Sequence, residues 1–290
     1  MNEVREQSLG GATPSSLTVG VLYPGELGAA VGGLFVGRGI RVVTVLDSLE
    51  EVVRESNVVL SLVPPAAADE VAASYCELAH LAPADAIYVD VNSIGPQQIA
   101  VIGARVEGAG RSFVDAAING LAENLTKSAT LFVSGRRAGE IAGLFEGAMR
   151  VRVLGADVGR ASGMKMLLAG LSKGICALFA ELAVVARQRD MLGEFAAASA
   201  EIYPGIWGLV QRMLPTYAQH AGRRATEMQE LEETARAAGL EPCVIAAVRQ
   251  LHETLAGASF AAGIAGSDVF SFIEQLAEQQ ILTGEMRPVV

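Results

Sequence analysis

The sequence predicts an α/β protein, with a doubly wound parallel sheet in its first half and an all-helical second half. Three observations carry this. Between residues 17 and 157, short apolar runs alternate with helical segments at the spacing of β–α units. The runs are continuous rather than alternating, as in parallel strands buried on both faces. Beyond about residue 157 no strand-like run returns, and apolar residues recur at helical period.

In order, residues 17–22 (LTVGVL) read as a first strand, closed by Tyr23-Pro24-Gly25, and a helix follows over about 26–37 with Leu27, Val31, Leu34 and Phe35 on one face. The pattern continues with strand 40–46, a short helix near 49–55, strand 57–63, helix 66–79, strand 86–91, helix 96–104 and strand 112–117, then strands 129–134 and 150–154. In the second half a long helix is expected over 159–189, with others near 192–219, 221–238, 242–257 and 267–284. Gly239 stops one of these and Glu241-Pro242 opens the next. The expected organisation is a polar, disordered tail at 1–16, a dinucleotide-binding domain over 17–157 and a helical domain for substrate or dimerisation over 158–290.

Composition excludes several classes. The chain of 290 residues is 51% hydrophobic, enough for a sizeable core, and its formal charge of −10 argues against a nucleic-acid partner. Cys76, Cys176 and Cys243 are too scattered for a disulfide framework or a zinc site, as expected of thiols in a reducing cytoplasm. His80, His220 and His252 show no ligand spacing, so no metal is expected. The apolar stretch 163–186 carries Lys165, Lys173 and Glu181, which reads as a buried helix and not a membrane span. The 22 basic residues comprise 19 arginines and three lysines (Lys127, Lys165, Lys173). In a chain that uses arginine for generic positive charge, a lysine invites a chemical reason, because only lysine loses its proton near neutral pH.

The segment Tyr23-Pro24-Gly25-Glu26-Leu27-Gly28 lies directly between the first strand and the first helix, where a Rossmann-type fold cradles a pyrophosphate. Gly25 and Gly28 match the second and third glycines of G-x-G-x-x-G, while Tyr23 replaces the first. Glu26 in the first helical turn is expected to point away from the phosphates. Asp47, 22 residues after Gly25 at the end of the second strand, stands where an acidic residue holds the ribose 2′-hydroxyl. It favours NAD over NADP; the alternative is a solvated aspartate capping the helix at Ser48.

The order of these motifs resembles the β-hydroxyacid dehydrogenase family, which includes 6-phosphogluconate dehydrogenase-like proteins. The resemblance covers roughly 17–190 in motif order and the remainder by helical character alone. Leu60-Ser61-Leu62-Val63-Pro64 is similar to the family's strand that ends in proline, which implies Val63 and Pro64 beside the nicotinamide half. Val89-Asp90-Val91-Asn92-Ser93 resembles D-x-S-T, which contacts the substrate carboxylate. It implies that Asn92, in the usual serine position, and Ser93, in the threonine position, face substrate, with Asn92 also against the cofactor. Asp115-Ala116-Ala117-Ile118-Asn119-Gly120 resembles D-x-P-V-S-G, with Asn119 in the serine position.

Gly159-Arg160-Ala161-Ser162-Gly163-Met164-Lys165 resembles the catalytic segment, which implies Lys165 as general acid/base. The family's asparagine four residues on is here Ala169, for which Ser172 or Lys173 could compensate. Lys165 has apolar sequence neighbours, as a lysine of lowered pKa requires. Its stem could instead pack on the helix while its ammonium reaches water. Ser93 and Asn119 each follow a strand's carboxyl end and could equally cap the next helix.

The resemblance implies an NAD(P)-dependent oxidoreductase of a hydroxyacid or oxoacid, acting on a small molecule as a homodimer. A reductase of imines on the same scaffold, or a non-catalytic dinucleotide-binding regulator, are the alternatives. 6-Phosphogluconate dehydrogenase itself is much longer.

Overall fold

The structure, a computed structural model, describes residues 17–23, 25–44, 48–258 and 268–282. The expected tail 1–16 lies outside the described residues, as do Pro24 and Asp47. The chain divides into two compact units, 1–165 and 166–290.

The first unit runs β1 (Thr18–Val21), α1 (Glu26–Val36), β2 (Arg41–Thr44), α2 (Leu49–Glu55), β3 (Val58–Ser61), α3 (Ala68–Leu78), β4 (Ile87–Asp90), α4 (Pro96–Gly108), β5 (Ser112–Asn119), β6 (Thr130–Ser134), α5 (Ala138–Phe145) and β7 (Arg150–Val153). The seven strands form one sheet in the order β2-β1-β3-β4-β5-β6-β7. The order turns back between β1 and β3, the point at which doubly wound sheets open a crevice at their carboxyl edge.

Both faces of the sheet are buried, which is why its strands read as continuous apolar runs. On one face Val21, Leu60 and Val89 pack against Val31 and Phe35 of α1 and Ile141 and Phe145 of α5. On the other, Val59, Tyr88 and Phe113 meet Val53 of α2, Tyr75 of α3 and Ile99 and Ile102 of α4.

The sheet is parallel from β2 through β5, but β6 pairs with β5 antiparallel and β7 follows β6 in parallel. Chain length explains the one reversal. The segment between β5 and β6 has room for a short 3₁₀ turn at Ala122–Asn124 and for no crossover helix. Helix α5 supplies the crossover that lets β7 run alongside β6; the sequence reading had no helix there.

The second unit is helical. Its elements are the greater part of α6 (Arg160–Gln188), which begins in the first unit, then α7 (Leu192–Ile202), α8 (Pro204–Met213), α9 (Ala221–Ala237), α10 (Cys243–Gly257) and α11 (Val269–Glu278). Phe179, Val210, Tyr217, Met228, Leu251 and Phe272 lie in its core. The single helix expected over 192–219 is broken at Tyr203-Pro204. Pro204 lacks an N–H and occupies the opening turn of α8, where that donor has no helical partner to lose.

By length and composition α6 could cross a membrane, but Cys176, Phe179, Ala180 and Ala183 are buried in the second unit's core. Another of its faces leaves Leu167, Leu171, Leu178, Leu182 and Val185 between 47% and 62% exposed, a line of apolar side chains at helical spacing.

Candidate active site

The turn after β1 is built for close backbone approach. Gly28 is buried, and a Cβ there would lie 1.9 Å from the Tyr23 carbonyl oxygen, so no side chain fits. Gly25 caps α1 without a side-chain hydrogen bond, which leaves the first-turn N–H groups to face a ligand. A Cβ on Gly25 would meet Tyr23 Cε1 at 2.5 Å. The tyrosine ring in place of the first glycine therefore lies over the second, and remains 45% exposed. Glu26 is exposed, and Leu27 packs against the sheet's core. A glycine-lined turn on an uncapped helix N-terminus, at the point where strand order reverses, suits a dinucleotide pyrophosphate.

Across the crevice, β3 ends at Ser61 and runs on to buried Val63 and exposed Pro64. Next to it β4 ends at Asp90, followed by Asn92 and Ser93. Asn92 is 2% exposed, and its polar atoms are engaged within the protein. Its Nδ2 donates to Asp90 Oδ2 at 3.0 Å and to Ser61 Oγ at 3.1 Å, and its Oδ1 accepts the Val63 N–H at 2.8 Å. Its own N–H donates to Asp90 Oδ1 at 2.9 Å. Asn92 thus clamps the ends of β3 and β4 together and fixes the turn from which Ser93 projects. Burial, opposed by these hydrogen bonds from Asn92 and reinforced by nearby Asp115, pushes the Asp90 carboxyl up to about 7.

The register continues this polar row. Ser61, Asp90, Asp115 and Ser134 are successive Cα partners across β3, β4, β5 and β6, and all are fully buried. Asp115 Oδ2 accepts Ser134 Oγ–H at 3.0 Å and the N–H groups of Gly159, Ala161 and Ser162 at 3.0, 3.0 and 3.1 Å. Asp115 Oδ1 accepts Ser162 Oγ–H at 2.5 Å. A buried carboxylate at the first turn of α6 satisfies helical N–H groups that have no partner within the helix, and it complements the helix dipole. Gly159 enters the helix at φ +94°, a conformation that side chains resist.

Just past the first turn of α6, Lys165 Nζ donates to Ser93 Oγ at 2.6 Å across a sequence separation of 72 residues. The structure thus brings together two of the residues singled out by the sequence. Ser93 is exposed, so a small molecule can reach the pair from solvent. Asn119 ends β5 opposite Thr130 and is exposed.

Lys173 lies in the second unit. It is 4% exposed and paired with Glu227 Oε2 at 2.7 Å, while Tyr217 Oη–H donates to its carbonyl at 2.7 Å. The Ser172 hydroxyl donates back to the Leu168 carbonyl at 3.0 Å. Asp90, Asp115, Ser61 and Ser134 were not singled out as working residues by the sequence. Their roles depend on partners up to 47 positions away, although two aspartates inside apolar strand runs are a signal that buried acids attract.

Residues 30–142 match the model of the NAD binding domain of 6-phosphogluconate dehydrogenase, and residues 186–255 match a domain family of unknown function, DUF1932. The first of these segments is similar to the NAD binding domain of 6-phosphogluconate dehydrogenase. Members and relatives of this fold span nearly the whole chain. A conserved hypothetical protein from Sinorhizobium meliloti 1021 is 25% identical, with 92% of this chain and 97% of that one covered and a TM-score of 0.71.

The Mycobacterium tuberculosis 3-hydroxyisobutyrate dehydrogenase, solved with L-serine, shares the fold at 18% identity, 90% and 99% coverage and a TM-score of 0.72. A Streptomyces aurantiacus imine reductase shares it at 17% identity, 89% and 99% coverage and a TM-score of 0.54. The fold is that of an NAD(P)-binding hydroxyacid dehydrogenase. In this chain the glycine turn lies before the first matched segment and Lys165 lies between the two.

Proposed function

We propose that the protein is an NAD(P)-dependent oxidoreductase acting on a hydroxyacid or its oxo form, with Lys165 as general acid/base. The observation that carries this is the 2.6 Å hydrogen bond from Lys165 Nζ to Ser93 Oγ. It supports the reading because Ser93 follows the carboxyl end of β4, on the edge of the sheet where doubly wound folds bind ligands. The scarcity of lysine in the chain adds to it, since arginine could hold a generic charge there but could not move a proton.

A bound nicotinamide would supply or accept the hydride. Tyr23, Pro24, Gly25, Glu26, Leu27 and Gly28 would form the pyrophosphate turn, and Val63 and Pro64 would flank the nicotinamide half. In reduction Lys165 gives a proton to the carbonyl oxygen as that carbon gains hydride, so the carbonyl becomes an alcohol. In oxidation its neutral amine takes the hydroxyl proton. Ser93 holds Lys165 and offers its hydroxyl to the substrate, Asn119 orients the substrate from the end of β5, and Asn92 fixes the turn that presents Ser93. Lys173 is left out of this site, because its buried ammonium is paired with Glu227. Ala169 in the family's asparagine position keeps the imine reductase reading open, because an altered polar partner suits a substrate other than a hydroxyacid. We further infer a cytoplasmic homodimer that uses the exposed leucine line of α6.

The test is a titration of the protein with NADH and NADPH, followed by nicotinamide fluorescence. Asp47 predicts tighter NADH binding, because its carboxylate repels a 2′-phosphate. Preference for NADPH would overturn the role of Asp47 alone, and failure of both to bind would overturn the dinucleotide reading.

A further inference from the structure

We propose that Asp115 is the positioning residue for Lys165: from inside the sheet it pins the first turn of α6, and so sets the ammonium against Ser93. The inference deepens the functional reading given above and rests on it only for its catalytic meaning; the geometry is independent of it.

Asp115 sits in the middle of β5 with no exposure to solvent. A buried carboxylate needs either a cation or several donors. The hydrogen bonds that Asp115 accepts come from the α6 entry and from Ser134 beside it. Three are backbone N–H groups, of Gly159, Ala161 and Ser162, and two are the hydroxyls of Ser134 and Ser162. Ser134 closes the arrangement, because its Oγ also accepts the Ala161 N–H at 3.1 Å.

A helix held only by its own caps frays within its first turn. This one is held instead to two interior strands of the sheet, β5 and β6. Lys165 follows Ser162 by three residues, so a shift in the first turn is carried into the Lys165–Ser93 hydrogen bond. At 2.6 Å that bond has little slack, and a displacement of about 1 Å takes it out of hydrogen-bonding range. Asp115 reaches neither Lys165 nor Ser93 directly through these contacts. It acts through the helix backbone.

The chain's three lysines make the test direct. Protein labelled with ¹³Cε-lysine gives three signals, each assigned by a Lys→Arg variant, and needs no cofactor or substrate. If the oxidoreductase reading fails, this measurement still stands. Ser93→Ala defines where the Lys165 signal moves when its partner is lost. Asp115→Asn removes the charge and one acceptor, whereas Ser162→Ala keeps every charge and removes one anchor. Both are expected to shift the Lys165 signal towards its position in Ser93→Ala, by at least a third of that displacement, with Lys127 and Lys173 unmoved. An unmoved Lys165 in both variants overturns the proposal. So does a shift in Asp115→Asn alone, which would be a field effect of the lost charge. A joint shift or broadening of all three lysines would show general loosening, and also overturns it.

Discussion

Gly28→Ala tests the cofactor turn by a single methyl group. The new Cβ would lie 1.9 Å from the Tyr23 carbonyl oxygen, 3.1 Å from its carbon and 3.3 Å from Val21 Cγ1. The oxygen belongs to backbone that follows directly on β1, and Leu22 N–H is bonded to the Leu60 carbonyl at 3.0 Å, so it cannot rotate away as a side chain would. The N-terminus of α1 must therefore back off from the turn by about 1 Å. Overpacking of this kind costs about 1–3 kcal/mol. For a domain of this size that lowers the melting temperature by about 2–12 °C.

The same displacement carries the first-turn N–H groups away from a pyrophosphate. NADH affinity is expected to fall at least about tenfold, or about 1.4 kcal/mol. Gly33→Ala is the matched control. It lies on the same helix, and its Cβ would meet nothing within 4 Å. Alanine there stabilises the helix by about 0.5–1 kcal/mol and leaves binding unchanged. Thermal melting and fluorescence titration read both effects. Wild-type melting temperature and NADH affinity in Gly28→Ala, or equal losses in the two variants, would show that the turn does not depend on a bare backbone at Gly28.

Two further predictions concern the helical unit. His252 is fully buried, its Nδ1 bonded to the Val248 carbonyl at 2.8 Å and its Nε2 without a partner. Burial, with smaller contributions from Arg224 and Lys173, pushes its pKa down to about 4. The unfolded chain takes up this proton near pH 6.5 and the folded protein only near pH 4, so His252 costs stability as pH falls through that window. The loss reaches about 3 kcal/mol at pH 4. His252→Phe, which keeps a ring against Tyr217, is expected to gain that amount relative to wild type between pH 7 and pH 4 in denaturant titrations. A pH-independent difference between the two proteins would count against it. On the exposed face of α6, Leu171→Glu with Leu178→Glu should convert a dimer to a monomer in light scattering. A monomeric wild type, or an unchanged dimer in the double variant, would remove the interface assigned there.

Most of the strand positions were legible because both faces of the sheet are covered, so runs such as 58–60 and 87–89 stand out as unbroken apolar segments. Helix α5 was not. It is eight residues long with two glycines, too short for a periodic pattern. The reversal at β6 depends on the length of a connection, which residue patterns do not display.

At the site, Lys165 was visible through the rarity of its residue type, and Ser93 through its place after a strand. Their meeting at 2.6 Å is a tertiary fact. Asn92 illustrates the opposite case, since the sequence places it against ligand while its polar atoms bind Asp90, Ser61 and the Val63 backbone. A position in a motif identifies where a residue stands, and only packing decides whether its polar atoms remain available.

Turnover tests most directly whether Lys165 moves the proton. Turnover of wild-type protein and Lys165→Met should be compared over a panel of β-hydroxyacids and their oxo forms, with NADH affinity measured alongside. A loss of about 10²–10⁴-fold in kcat is expected for the variant, with NADH binding retained. Unchanged turnover in Lys165→Met would contradict it.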